Sequence, residues 1–116
     1  EYKKIIDICN LNTLIESKYL KDNFMIEDNG FNISGGEKQK IILARSLLKD
    51  SNYIILDEAL SEVDINEEKQ ILNKIFDVYK EKTIIYISHK KEIISMFKQK
   101  YKIERIKWCL KLKNYF

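Results

Sequence analysis

The 116-residue chain has no long apolar segment and only two cysteines, three glycines and one histidine. No apolar run approaches the roughly 18 residues that a membrane helix needs, and no charged-then-apolar leader suggests secretion. We therefore expect a soluble, cytoplasmic domain without a membrane span. The chain begins with Glu1 and not with Met, which is compatible with a piece of a longer polypeptide.

The two cysteines exclude the usual cysteine-based sites. Cys9 and Cys109 lie far apart, with no CxxC pattern and no nearby histidine. We interpret both as reduced packing residues, and we expect neither a disulfide nor a zinc site.

Charge is unevenly distributed along the chain. The apolar content of 45% is enough for the modest core of one small domain. Residues 98–116 carry seven Lys or Arg against one Glu, so residues 1–97 carry −3 of a formal net charge of +3. The basic tail could bind an anionic membrane surface or nucleic acid, but we favour a structural role, in which the lysine face of the tail is solvated and the apolar face beneath it is packed.

Glycine is concentrated where the sequence predicts a helix to begin. Two of the three glycines lie in the pentapeptide Ile-Ser-Gly-Gly-Glu at residues 33–37, and Gly30 precedes it. Ser34 and Glu37 form an S-x-x-E capping box, which predicts a helix through about Leu48. The free N–H groups and the dipole at such a helix start attract phosphate, and glycines let it approach the backbone. An ordinary helix cap is the alternative.

A strand, a helix and a second strand are predicted next. The short apolar run from Tyr53 to Leu56 predicts a fully buried parallel strand, and so does Thr83 to Ile87. Asp64 can cap the helix between them, from about Ile65 to Tyr79, with an apolar stripe along it. These elements make a βαβ unit with parallel strands and a right-handed crossover.

Three ionisable residues follow the predicted strands, at the edge where open α/β sheets bind ligands. In the pair Asp57-Glu58, one carboxylate can hold Mg²⁺ through water, and the other can orient or deprotonate an attacking water. His89 could donate a hydrogen bond to a γ-phosphate. Adjacent strand residues point to opposite faces, so the two carboxylates share a role only if the strand has ended. A solvated strand terminus and a structural histidine are the alternatives.

Weaker signals predict the remaining elements. Residues 2–9 have helical spacing, and Thr13 with Glu16 makes a capping box that starts a second short helix. The others are a short strand at Phe24 to Ile26, a helix from beyond Lys90 to about Phe97, and a tail with the pattern of either strand or helix.

Taken in order, these motifs resemble the ATPase subunits of ABC proteins, and within them the exporter type. Residues 33–37 resemble the signature loop, usually written LSGGQ, and Tyr53 to Glu58 resemble the Walker B strand. Ser61 to Asp64 resemble the D-loop, and His89 resembles the switch histidine. The resemblance covers about residues 1–97.

The resemblance implies an α/β fold, the C-terminal portion of a P-loop NTPase-like ABC ATPase domain. Parallel strands with flanking helices would be joined to a helical subdomain. We expect this subdomain at residues 1–34, the catalytic lobe at 35–97 and the basic tail at 98–116.

The resemblance also implies roles for single residues, with ATP and Mg²⁺ as cofactors. Glu58 would be the general base, Asp57 would organise magnesium and His89 would contact the γ-phosphate. The signature residues would complete the ATP site of a second ABC ATPase subunit in a head-to-tail dimer, and Asp64 would communicate across it. These residues are Ser34, Gly35, Gly36 and Glu37. The other implied partners are the transmembrane domains of an exporter, at the cytoplasmic face of the membrane.

The chain departs from the family at its nucleotide-gripping loop. Residues 30–35 have the glycine spacing of a P-loop, but Gly36 and Glu37 stand where Lys and Ser or Thr are required. We interpret this segment as a false Walker A. Other departures are milder: Ile33 and Glu37 in the signature, and Leu60 and Glu62 in the D-loop.

We interpret the chain as part of an exporter ATPase, with small peptides as the first guess for its cargo from the EALSEVD sequence. One alternative is the C-terminal lobe of a DNA-repair or chromosome-organising ABC ATPase, which the basic tail would suit. The KQKIILARSLL sequence and the absence of heptads favour a transporter, so we do not expect nucleic acid as a partner. A non-catalytic, truncated remnant is the other alternative.

The missing Walker A predicts that residues 1–116 alone hydrolyse ATP at a negligible rate, because nothing in them grips the β- and γ-phosphates. Phosphate release from ATP and Mg²⁺ measures this. Steady turnover that Glu58→Gln abolishes would contradict the prediction.

Overall fold

The computed structural model describes residues 1–17, 32–106 and 109–114. Its elements, in chain order, are α1 (Tyr2–Ile8), α2 (Asn12–Ser17), α3 (Gly35–Leu47), β1 (Tyr53–Asp57), α4 (Ile65–Val78), β2 (Thr83–Ile87), α5 (Lys91–Ile94), β3 (Tyr101–Ile106) and β4 (Cys109–Asn114). The strand predicted at Phe24 to Ile26 lies outside the described residues. None of the described helices is long and apolar enough to cross a membrane.

The predicted βαβ unit is confirmed as a parallel strand pair. β1 and β2 lie side by side, with Tyr53 opposite Thr83 and Asp57 opposite Ile87. Their carboxyl ends therefore reach the same edge of the sheet. Because α4 connects the two strands, it begins near that edge and packs back along the sheet.

The apolar stripe of α4 forms the centre of the core. Ile71, Leu72 and Ile75 are 0% exposed. Alternate residues of both strands face them, and α1 and α3 pack against the same cluster. The strand residues are Ile54, Leu56, Ile84 and Tyr86, and those of the helices include Ile5, Ile8, Leu43 and Leu47.

The prediction that both strands are fully buried is wrong for one face of the sheet. Tyr53 and Ile55 are each 65% exposed, and Ile85 and Ile87 are 46% and 40% exposed. Side chains alternate between the faces of a strand, and α4 covers only one of them. We call the exposed side, residues 53, 55, 85 and 87, the open sheet face.

One of the two helices that the capping boxes predict has the expected extent, and the other begins earlier. α3 ends at Leu47 with Leu48 as its C-cap, in agreement with a helix through about Leu48, and Leu43 and Leu47 lie on its buried side. α2 begins at Asn12, which places Thr13 inside its first turn instead of at its cap. The reason is the tight connection from α1, where Asn10 has a φ of 51° and Leu11 N–H donates to Ile6 O at 3.0 Å.

The last helix and the tail also differ from the sequence prediction. α5 has only four residues and ends at Ile94. β3 and β4 pair antiparallel, with Ile103 opposite Leu112, so residues 101–106 and 109–114 of the tail are strand and not helix. The packed face that we favoured is not found at Tyr101 and Ile103, which are 56% and 58% exposed.

Cys9 has the packing role that the sequence predicted. It is a free thiol and is 0% exposed. Burial raises the pKa of the Cys9 thiol to about 12, because the thiolate would lose its hydration. The neutral thiol is therefore the form that packs in the core at neutral pH.

The open sheet face predicts self-association, because a contiguous apolar surface on an open strand pair favours contact between copies. Ile55→Thr combined with Ile85→Thr should reduce the sedimentation coefficient toward the monomer and change the free energy of unfolding by only about 0.5 kcal/mol. Ile71→Ala, on the buried side, should lower that free energy by about 2–5 kcal/mol. A wild-type chain that sediments as a monomer would contradict the prediction.

Candidate functional site

The predicted capping box at the start of α3 is confirmed. Ser34 Oγ accepts a hydrogen bond from Glu37 N–H at 3.2 Å, and Glu37 Oε2 accepts one from Ser34 N–H at 2.7 Å. Glu37 is therefore held by the backbone of its own loop. Because the cap satisfies two of the helix's free N–H groups, it gives the glycine pair a defined conformation.

The two glycines of this loop pack against the segment that follows β1. A Cβ built on Gly36 would lie 3.1 Å from Glu62 O and 3.5 Å from Val63 Cγ2. A Cβ on Gly35 would overlap the carboxylate of Glu62. The small residues thus permit a close approach of Glu62, which places a negative charge beside the start of α3.

Gln39 holds α3 to the same segment, which we call the connecting loop, residues 58–64. Its Nε2 donates to Ser61 Oγ at 2.9 Å, and its Oε1 accepts from Glu62 N–H at 2.9 Å. The side-chain amide therefore bonds the loop through both of its polar atoms. The signature residues and the end of β1 are joined through this contact.

The strand carrying the acidic pair ends between its two members. β1 stops at Asp57, and Glu58 has a φ of 45°, in the left-handed region that residues with a Cβ rarely adopt. Glu58 N–H still donates to Ile87 O at 3.0 Å. The alternation of faces stops here, so Asp57 and Glu58 are not forced to point to opposite faces of the sheet as two adjacent strand residues would be.

Glu58 and His89 come together at the carboxyl ends of the strands. Glu58 Oε1 lies 2.8 Å from His89 Nε2, and the side chains are 46% and 90% exposed. A carboxylate can only accept, so the imidazole Nε2–H is the donor. An imidazole this exposed does not fill the core, which excludes a structural packing role for the histidine.

Asp64 caps α4, as the sequence predicted. Its Oδ1 accepts from Asn66 N–H at 2.9 Å and from Glu67 N–H at 3.4 Å. These bonds define where the connecting loop ends and the helix begins.

The donors present fit a magnesium ion only in part. Among the described residues, no three His, Cys, Asp or Glu side chains cluster closely enough to hold a metal. Mg²⁺ usually keeps several waters and binds one or two carboxylates together with nucleotide phosphates. The exposed Asp57, beside Glu58, suits one such position.

The sequence did not predict one polar cluster beneath the site, which consists of Glu68, Tyr86 and Lys90. Glu68 is 1% exposed, and its carboxylate contacts Tyr86 Oη at 2.6 Å and Lys90 Nζ at 2.5 Å. Burial and the bond to Glu68 hold the pKa of the Tyr86 hydroxyl well above its usual value. The spacing of the sequence could have indicated that Glu68 is buried, because it lies on the same helical face as Ile71, Leu72 and Ile75.

The parallel strands, with polar groups at their carboxyl ends and helices against them, are consistent with the α/β class of P-loop NTPase-like folds. Comparison with known proteins agrees. The sequence profile described as "ABC transporter" matches residues 7–61. A bacterial Atm1-family ABC exporter, solved with ATP bound, superposes with a TM-score of 0.74 at 27% identity, over 80% of this chain and 16% of that one.

Curated relatives belong to the same family. The lactococcin-G-processing and transport ATP-binding protein LagD of Lactococcus lactis subsp. lactis is 39% identical over 77% of this chain and 13% of its own length. ABC transporter C family member 2 of Dictyostelium discoideum is 41% identical over 80% of this chain and 7% of its own. The chain belongs to the ABC transporter family, and its matched residues form part of an exporter nucleotide-binding domain.

The capping box predicts a measurable contribution of Ser34 to stability. Ser34→Ala removes the acceptor for Glu37 N–H and should lower the free energy of unfolding in urea by about 1 kcal/mol. Ser46 is a matched control, because its hydroxyl bonds Ile42 O within the same helix at 3.0 Å. Ser46→Ala should change stability by less than about 0.5 kcal/mol. Equal effects of the two substitutions would contradict the assignment.

Proposed function

We propose that this chain supplies the signature and catalytic residues of the ATP-hydrolysing subunit of an ABC exporter. The observation that carries the proposal is the Glu58–His89 pair, 2.8 Å apart at the carboxyl ends of two parallel strands. The capped Ser-Gly-Gly helix start adds a second phosphate-directed element. The whole subunit would hydrolyse ATP, with the nucleotide held by a Walker A that residues 1–116 do not supply.

In this proposal Glu58 is the general base. Its carboxylate is half-exposed at the end of the sheet, so an attacking water can reach it. His89 now donates its Nε2–H to that carboxylate. For His89 to contact a γ-phosphate, the same N–H has to turn from Glu58 to the phosphate, which frees Glu58 to accept a proton.

Asp57 is the proposed magnesium ligand, acting directly or through water. When bound, Mg²⁺ would neutralise charge that develops on the phosphates. Asp57 contributes position: it is the last residue of β1, and its backbone is fixed opposite Ile87. Its carboxylate therefore remains at the end of the sheet beside Glu58.

The signature residues are proposed to serve a partner's nucleotide. The N–H groups and dipole at the start of α3 favour an anion. The Glu62 carboxylate now fills the space beside Gly35, so it would have to turn away for a phosphate to approach the backbone there. Ser34 would add its hydroxyl, and Glu37 would hold the loop through the capping box. Asp64, at the far end of the connecting loop, would transmit the contact across a head-to-tail dimer.

The complete protein is proposed to act at the cytoplasmic face of a membrane, coupled to transmembrane domains that ATP closure and hydrolysis drive. For the cargo we propose small peptides. The support is the resemblance of residues 58–64 to peptide exporters, together with the similarity to a relative named for processing and transport of lactococcin-G.

A binding experiment tests the role of the signature residues. The purified chain is mixed with an exporter nucleotide-binding domain that has its own Walker A and a Gln for its catalytic Glu, so that it retains ATP. Sedimentation should detect a complex with ATP and Mg²⁺ but not with ADP. Ser34→Glu should weaken it at least about tenfold, because a carboxylate would face the phosphate.

Ser46→Ala, on the same helix but away from the loop, is the control and should bind like the wild type. Association of equal strength in ATP and ADP, or one that Ser34→Glu leaves unchanged, would contradict the proposal.

Removal of the Glu62 carboxylate should strengthen the complex in the same assay. That carboxylate lies against Gly35, where it opposes an approaching phosphate. Glu62→Ala should therefore strengthen the ATP-dependent complex by about three- to tenfold, a difference of about 1 kcal/mol. Weaker binding by this variant would show that Glu62 supports the site instead of opposing the phosphate.

A further inference from the structure

Glu68 is the buried charged side chain of the core that the described residues form, and none of the roles proposed above uses it. It is 1% exposed, with one carboxylate oxygen 2.6 Å from Tyr86 Oη and the other 2.5 Å from Lys90 Nζ. A buried carboxylate without partners is strongly unfavourable, so these two contacts are what allow Glu68 to lie in the core.

Lys90 does more than neutralise Glu68. Its Nζ also lies 3.4 Å from Leu60 O and 3.4 Å from Val63 O, both in the connecting loop. An ammonium group has three hydrogens, which matches the three acceptors around it. One cation from the end of β2 thus bonds α4 through Glu68 and the connecting loop through two carbonyl groups.

The backbone around Lys90 is itself held in place. Lys90 N–H donates to Ser88 Oγ at 3.1 Å, and Lys90 O accepts from Ile93 N–H and Ile94 N–H at 3.0 Å each. His89 lies between these two anchored residues. The position of the imidazole and the origin of the lysine side chain are therefore set by one short segment.

The two carbonyl groups that Lys90 contacts belong to the turns of the connecting loop. Ser61 N–H donates to Glu58 O at 3.1 Å, and Val63 N–H donates to Leu60 O at 3.1 Å. Leu60 O and Ser61 N–H belong to the same peptide plane, so rotation of that plane would break both turn bonds. The ammonium opposes that rotation from the buried side, where Leu60 is 0% exposed.

We propose that Lys90, anchored by Glu68, is a positioning residue that clamps the connecting loop and so sets Glu58 against His89. The functional meaning of this clamp rests on the proposed roles of Glu58 and His89. The clamp itself is a property of this chain without nucleotide, and it can be measured without nucleotide.

Amide hydrogen exchange of the 116-residue chain tests the clamp. In Lys90→Met, exchange at Ser61 N–H and Val63 N–H should accelerate at least about tenfold beyond any change at the slowest amides of α4. The nuclear Overhauser contact between the His89 imidazole and the Glu58 side chain should also disappear. His89 is the only histidine, so its signal is unambiguous. Lys90→Arg, which keeps a cation and its donors, should restore both readouts in large part.

Lys74→Met is the matched control. Lys74 Nζ also makes several polar contacts from α4, to Asp7 O at 2.7 Å and Asn10 Oδ1 at 2.9 Å, but on the side of α1. Loss of the Lys74 ammonium should accelerate amide exchange near α1. The exchange rates of the connecting-loop amides, compared with those of the slowest α4 amides, should not change.

A double variant provides the test if Lys90→Met fails to fold. Lys90→Met combined with Glu68→Gln removes the uncompensated charge together with the clamp, and it should show the same acceleration at Ser61 and Val63. The proposal would be overturned if the exchange rates of the loop amides changed only in proportion to those of α4. It would also be overturned if the Glu58–His89 contact persisted while exchange in the loop accelerated. Failure of the ATP-binding experiment would change neither readout.

Discussion

Burial of the α4 stripe is the interaction on which the rest of this structure depends. Ile71, Leu72 and Ile75 are completely buried between the inner face of the strand pair and the helices α1 and α3. Because α4 connects β1 to β2, this packing holds the two strands parallel and side by side. Glu58 and His89 meet only because the ends of these strands are held at one edge, so the site depends on contacts made beneath it.

The connecting loop transmits this packing to the candidate site. Three groups restrain it from different directions: the ladder bond from Glu58 N–H to Ile87 O, the side-chain amide of Gln39, and the ammonium of Lys90. Each comes from a different element, namely β2, α3 and the turn after β2. The left-handed Glu58 is tolerated inside this set of restraints, and it places the carboxylate toward His89 instead of continuing the strand. The start of α3 joins the same arrangement because Glu62 lies against its glycines.

Local patterns predicted the elements well. The S-x-x-E box, the Asp64 cap and the stripe of α4 were readable because caps and helical spacing involve residues at most a few positions apart. Burial was predicted less well. The YIIL run indicated a strand with two covered faces, yet Tyr53 and Ile55 are exposed because the described residues cover only one side of the sheet. The start of α2 was misplaced for a related reason: the tight turn at Asn10, rather than the Thr13 box, decided it.

The sequence by itself determined the candidate site residues and the order in which they occur: the Ser-Gly-Gly loop, the Asp57-Glu58 pair and a single histidine after the second strand. It also determined the family, because those motifs are local and their spacing is specific. Only the tertiary structure decided that Glu58 and His89 touch, that Glu62 lies against Gly35, and that Glu68 and Lys90 pair beneath the connecting loop. These contacts join residues about 20 to 30 positions apart, and their geometry comes from core packing, which no local pattern encodes.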